Sequence, residues 1–115
     1  MRISGPAAAL IVGVLLSAGG GADRDVRPGI AAIQRYGCGS CHLIPRVPGA
    51  NGQVGPPLAG VGAQRYLAGE LLNTPDNMMR WIQHPREVND KTAMPDLGVK
   101  QQDAHDITAF LLSLR

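Results

Sequence analysis

An all-α fold of three main helices, joined by long loops wrapped around something other than protein, is what this 115-residue sequence predicts. Three observations predict it. Apolar residues recur at helical rather than strand spacing in three separate stretches. Between residues 43 and 58, Pro45, Pro48, Pro56 and Pro57 alternate with Gly49, Gly52 and Gly55, a punctuation that neither a helix nor a strand accommodates. The chain is short, and with one Trp, two Tyr and one Phe it is marginal for a self-sufficient apolar core, so bulk must come from elsewhere.

Taken in order, residues 1–22 read as an export signal peptide. Arg2 is a minimal positive start, Ala7–Leu16 is apolar, and Gly20-Gly21-Ala22 supplies small residues for cleavage. Cleavage after Ala22 leaves a domain over residues 23–115. The competing reading is an uncleaved anchor, although Ile3–Ala18 falls short of the roughly 20 residues that a spanning helix requires. Removing residues 1–22 takes Arg2 from the 11 basic residues and none of the 9 acidic ones, so the remainder is nearly neutral. With no run of like charge there is no nucleic-acid footprint and no polybasic membrane patch.

Residues 23–27 read as a lead-in. Pro28 suits the first position of a helix, where its missing N–H costs nothing, and Ile30, Ile33 and Gly29 share a face. That helix is expected to run into Tyr36-Gly37. After the loop over 43–58, a short helix is expected around Ala63–Ala68. Thr74-Pro75-Asp76 then marks a strong helix start, with Thr74 as N-cap, Pro75 first and Asp76 in the first turn. Met78, Trp81 and Ile82 form its inward stripe, and it ends at His84 before Pro85. A second loop is expected over Arg86–Val99. The last helix covers about Gln101–Leu114, with Ala104, Ile107, Leu111 and Leu114 on one face and Phe110 beside them. It lacks a Ser, Thr or Asp cap, although Asp103 near its start and Arg115 at its end suit the dipole.

Cys38-Gly39-Ser40-Cys41-His42 is a C-x-x-C-H run, the spacing of a c-type haem attachment site. Two thiols at this spacing can each add across a porphyrin vinyl group, and the adjacent His42 then offers an imidazole to the iron. A thioredoxin-like redox pair would need a βαβ pattern around it, and no strand-like alternation occurs near residues 26–60. A zinc site would need a second pair of ligands, and these are the only two cysteines. A plain disulfide would leave His42 unexplained. Met94, a flexible thioether between Ala93 and Pro95 in the second loop, is the candidate for the opposite iron ligand. Met78 and Met79 lie on a helix, where methionine usually packs. His84 and His105 are the other imidazoles.

Cys38–His42, Gly55-Pro56-Pro57-Leu58, Thr92-Ala93-Met94-Pro95 and a C-terminal helix together resemble a class I, mono-haem cytochrome c, over about residues 28–114. Pro48-Gly49-Ala50, Val54–Leu58 and Ala93–Leu97 are similar to cytochrome c domains associated with haem-copper oxidases, including those fused to oxidase subunit II. The resemblance implies three main helices and long loops around one haem c, held covalently by two thioethers, with His42 and Met94 as the metal ligands. It implies that the Pro56 carbonyl accepts the second ring N–H of His42, that Arg65 pairs with a propionate, and that Trp81 stands against the porphyrin as a wall or as simple core. Thr92 would donate toward a propionate or the Met94 sulfur. Gly29 and Phe110 resemble the residues through which the first and last helices cross, while the usual aromatic near Ile33 is missing.

With His42 and Met94 both bound, no coordination position is left for a substrate, so the implied function is that of a one-electron carrier and not of an enzyme. The partners implied are redox proteins: a dehydrogenase or quinol-oxidising complex as donor and a haem-copper oxidase as acceptor. The expected location is the periplasm or another exported compartment, with membrane contact through a partner or an uncleaved N-terminus. Two alternatives stay open: a haem subunit fixed in a membrane oxidase or dehydrogenase, and a weak peroxidase or gas-binding protein if the Met94 bond is labile.

Overall fold

Proline near its start and glycine just past its end bound the first helix. The α1 helix spans Arg27–Tyr36 with Pro28 in its first turn. It stops on Gly37, whose φ of 74° turns its N–H back to the Gln34 and Ile33 carbonyls. Ahead of it, the Asp25 carboxylate accepts from the Arg27 backbone N–H at 3.0 Å and from the Arg27 guanidinium. The computed structural model describes residues 25–115, together with residues 2, 4, 5, 8, 9 and 11–13. Most of the expected signal peptide over 1–22 lies outside the described residues.

After α1 come a 3-10 turn at Cys38–Ser40 and a long loop, then a second 3-10 turn at Val61–Ala63. Two short antiparallel strands follow, β1 at Tyr66–Leu67 and β2 at Leu71–Leu72, with Tyr66 opposite Leu72 and Leu67 opposite Leu71. This hairpin corrects the short helix expected around Ala63–Ala68. Ala68 (φ 52°) and Gly69 (φ 73°) are consecutive left-handed residues, and the Glu70 N–H closes the turn on the Leu67 carbonyl at 3.0 Å. Two such residues make a hairpin turn of the primed kind and exclude a helix.

The α2 helix, Pro75–Gln83, starts as expected: Thr74 Oγ1 accepts from the Asn77 N–H at 3.2 Å, Pro75 is first and Asp76 lies in the first turn. His84 ends it. A further one-turn helix, α3 at Pro85–Val88, opens the segment expected to be loop from Arg86. Pro85 preorganises its first position, and the Asn89 N–H reaches the Pro85 carbonyl at 2.9 Å. The α4 helix is Gln101–Ser113, and Lys100 at its N-cap makes no side-chain cap.

The core lies where α1 crosses α4, and α2 also packs on α4. Phe110, Ile33 and Ile107 are 0%, 1% and 2% exposed, each contributing about 1.5–3 kcal/mol of apolar burial. The crossing is close because Gly29 has no side chain: a Cβ there would run into the Asp106 carbonyl oxygen and stand 2.8 Å from Phe110 Cβ. Polar contacts frame it. Asp103 accepts from Arg35 at 2.9 Å and from the Tyr36 hydroxyl at 2.6 Å, and the Arg46 guanidinium lies 5.8 Å from the centre of the Phe110 ring. With the Arg35 and Arg46 side chains exposed to solvent, the ion pair and the cation–π contact are each worth about 1 kcal/mol. Apolar burial therefore dominates the docking of α1 on α4.

Candidate haem site

The 3-10 turn that follows α1 folds the cysteine motif back on itself. The Cys38 carbonyl accepts from the N–H groups of Cys41 (3.2 Å) and His42 (3.1 Å), so the three residues that carry the two thiols and the imidazole are tied together by one short loop. The proline- and glycine-rich strap that follows is laced along it. The Gly52 N–H donates to the Gly39 carbonyl at 3.0 Å, the Gly55 N–H to the Cys41 carbonyl at 2.7 Å, and the Leu58 N–H to the Leu43 carbonyl at 2.9 Å. The strap can come this close because of its glycines. A Cβ at Gly52 would strike the Ser40 and Cys41 backbone, and one at Gly55 would fall on the His42 imidazole.

Pro56, next along the strap, lies 2.7 Å through its carbonyl oxygen from His42 Nδ1. A carbonyl only accepts, so His42 Nδ1 carries the proton and donates, and Nε2 is left with its lone pair free. This is the contact expected of Pro56. Burial pushes the Cys38 thiol up from its ordinary range, the opposite of the lowered value that makes a redox-active C-x-x-C reactive.

A cleft of about 590 Å³ runs between the motif, the strap, α2, α4 and the loop after α3. Cys38, Cys41, His42, Pro56, Trp81 and Met94 all line it. Among the described residues that line it none is Asp, Glu, Lys or Arg, so these walls are uncharged. A smaller cavity of about 310 Å³, between α1 and residues 47–50, reaches neither His42 nor Met94. Two thiols, an imidazole with its Nε2 free and a thioether on the wall of one uncharged cleft fit a c-type haem. Among the described residues no group of three His, Cys, Asp or Glu side chains is placed to hold a metal ion, so the zinc reading gains no support.

Arg65 is exposed and outside the lining; its neighbour Gln64 lines the cleft instead. Thr92 lines the cleft, and its Oγ1 accepts from the Met94 N–H at 3.1 Å, so the hydroxyl shapes the methionine turn. Met78, 1% exposed, combines core packing with a place on the cleft wall, whereas Met79, His84 and His105 do not line it. Sequence reading gave no site role to Tyr36, Gly55 or Gln64, although Gly55 stands in the Gly-Pro-Pro motif. Tyr36 had a signal, as one of four aromatic residues and the one just before Gly37-Cys38. The roles of Gly55 and Gln64 arise from contacts between segments and have no local signature.

Fold and site together define an all-α c-type haem protein. The family model for cytochrome c matches residues 28–115, and the chain belongs to that family, whose members are in general haem-bearing electron carriers. It is also similar to cytochrome c oxidase subunit 2 of Alkalihalophilus pseudofirmus, 27% identical over 88 residues that cover 76% of this chain and 25% of that protein. The matched region is thus a quarter of that relative's length. No solved structure matches. Among the described residues, no helix is long and apolar enough to cross a membrane.

Proposed function

We propose that this chain is a carrier of single electrons, built on one haem c held by Cys38 and Cys41 through thioether bonds and ligated by His42 and Met94. It delivers electrons to a terminal haem-copper oxidase. The observation that carries the reading is the His42 Nδ1–Pro56 carbonyl hydrogen bond of 2.7 Å, made on the wall of the cleft that Met94 also lines. That bond commits Nδ1, sets the tautomer, and turns Nε2 into the ligating atom. Haem c, when bound, supplies a one-electron couple at its iron. The residues do the rest. Met94, on the wall of the same cleft, is the residue that would offer the iron its second ligand, a thioether, and would leave no position for a substrate. The uncharged walls disfavour net charge in the cleft, and with the thioether they raise the reduction potential.

The oxidase as acceptor is supported by the similarity to an oxidase subunit and by the nearly neutral charge of residues 23–115, which suits docking by apolar and hydrogen-bond contact. A dehydrogenase or quinol-oxidising complex is the proposed donor. Export through residues 1–22 places the carrier in the periplasm, where haem attachment and paired cysteines are both tolerated. The attachment is tested by replacing Cys38 and Cys41 together with Ala. Haem staining is expected to vanish from the band on denaturing electrophoresis and the chain to lose its cooperative fold; a haem-stained band that survives overturns the reading.

A further inference from the structure

The segment that carries Met94 is fastened to the rest of the molecule at one end. From Asn89 to Gly98 its hydrogen bonds are local: the Lys91 N–H donates to Asn89 Oδ1, the Met94 N–H to Thr92 Oγ1 and the Gly98 N–H to Asp96 Oδ1, at 3.0–3.1 Å. Among the described residues, its ties to elements distant in sequence fall at Val99 and Lys100. The Val99 carbonyl accepts from Gln83 Nε2 at 3.0 Å, and the Lys100 N–H donates to the Tyr36 hydroxyl at 3.2 Å. That hydroxyl in turn donates to Asp103 Oδ2 at 2.6 Å.

This chain of bonds is a capping box opened to admit a third residue. In the usual box an acidic side chain at the third helical position reaches back to the N-cap N–H. In α4 those positions are Asp103 and Lys100, and the hydroxyl of Tyr36, from the end of α1, stands between them. Tyr36 precedes Cys38 by two residues and lines the same cleft. One phenol therefore joins the segment that bears Cys38 and His42 to the end of the segment that bears Met94. Each of its hydrogen bonds serves a group that would otherwise lose a partner, since Lys100 N–H has no other acceptor among the hydrogen bonds found for the described residues.

We infer that Tyr36 is a positioning residue for the Met94 loop, holding the thioether in place through the relay Lys100 N–H to Tyr36 hydroxyl to Asp103 carboxylate. The inference rests on the reading of Met94 as an iron ligand. Loss of the hydroxyl frees the loop's C-terminal tie, leaving Gln83 as the remaining one, and raises the population in which Met94 has swung away.

Titration of the ferric holoprotein with imidazole, followed by its absorption spectrum, reads that population, because an external base competes for the position Met94 leaves. Its apparent affinity is the intrinsic affinity scaled by the fraction of open protein. Tyr36→Phe keeps the ring and removes the hydroxyl, and it is expected to tighten apparent imidazole binding by about tenfold, the effect of one charge-assisted hydrogen bond. Asp103→Ala is expected to do the same, and the double variant to add little beyond either single one. Arg35→Ala removes the other partner of Asp103, leaves the relay intact, and is expected to bind imidazole as the wild type does. Wild-type affinity in both Tyr36→Phe and Asp103→Ala overturns the inference, even where their resistance to urea falls, since a merely structural role lowers stability without opening the iron. If the wild-type ferric spectrum lacks the far-red band of thioether-ligated iron, the ligand reading itself fails, and this inference with it.

Discussion

At Gly55 one methyl group decides whether His42 keeps its orientation. A Cβ there would stand 2.7 Å from Nδ1 and 2.8 Å from Nε2 of the His42 ring, closer than van der Waals contact allows, so either the ring turns or the strap lifts. Gly55→Ala is expected to break the His42–Pro56 hydrogen bond and to cost about 1–3 kcal/mol, as overpacking does; urea denaturation of the holoprotein checks the cost and the His42 ring resonances check the displacement. Unchanged stability with unshifted resonances would contradict the close fit. Cys38, Cys41 and His42 were legible as candidates from the C-x-x-C-H run alone, and Pro56 and Met94 through the family resemblance that Gly-Pro-Pro and Met-Pro carry. The roles of Gly55 and Tyr36 were not, because what matters about them is a ring 13 positions from Gly55 and an N–H and a carboxylate 64 and 67 positions from Tyr36. Arg65 was assigned by resemblance, and its side chain stands outside the cleft that Gln64 reaches.

Among the elements, the crossing of α1 and α4 is the joint on which the cleft depends, since Ile33 and Tyr36 from one helix and Ile107 and Leu111 from the other line it. Gly29→Ala is expected to force the helices apart, because the Cβ would meet backbone at Asp106 and not the end of a flexible side chain. A loss of about 2 kcal/mol or more in urea denaturation, against a small change for Ala31→Gly on the exposed side of α1, checks this. The three helices were legible from their apolar spacing and from Pro28, Thr74-Pro75 and Pro85, which fix where helices start and stop. The hairpin after Arg65 was not legible. Its strands are two residues each, too short for any alternation to register, and the decisive feature is the left-handed backbone at Ala68, a residue type that ordinarily favours a helix. A loop position also became α3, where a single turn needs only a proline and one returning hydrogen bond.

For the whole molecule, an uncharged cleft lined by His42 and Met94, the residues that would ligate the iron, is what would make this chain a carrier of electrons. Intact-mass measurement of the exported holoprotein is expected to give a chain beginning at Asp23 with one haem attached; a mass that retains residues 1–22 would instead support an anchored carrier. The cleft itself was foreshadowed by the poverty of aromatic residues and by loops too rich in proline and glycine to pack alone. That charged side chains are absent from its walls became visible only once the segments were assembled. The measurement that bears most directly on the claim is the ferric spectrum and reduction potential of Met94→Ala beside Met78→Ala. Met94→Ala is expected to keep its haem through Cys38, Cys41 and His42, to shift the ferric iron toward high spin, and to lower the potential, while Met78→Ala, whose side chain is buried in the core, retains the low-spin spectrum and loses about 2–5 kcal/mol of stability. A Met94→Ala protein with an unchanged low-spin spectrum and native potential would contradict the account, and the second axial ligand would have to be sought at His84 or His105.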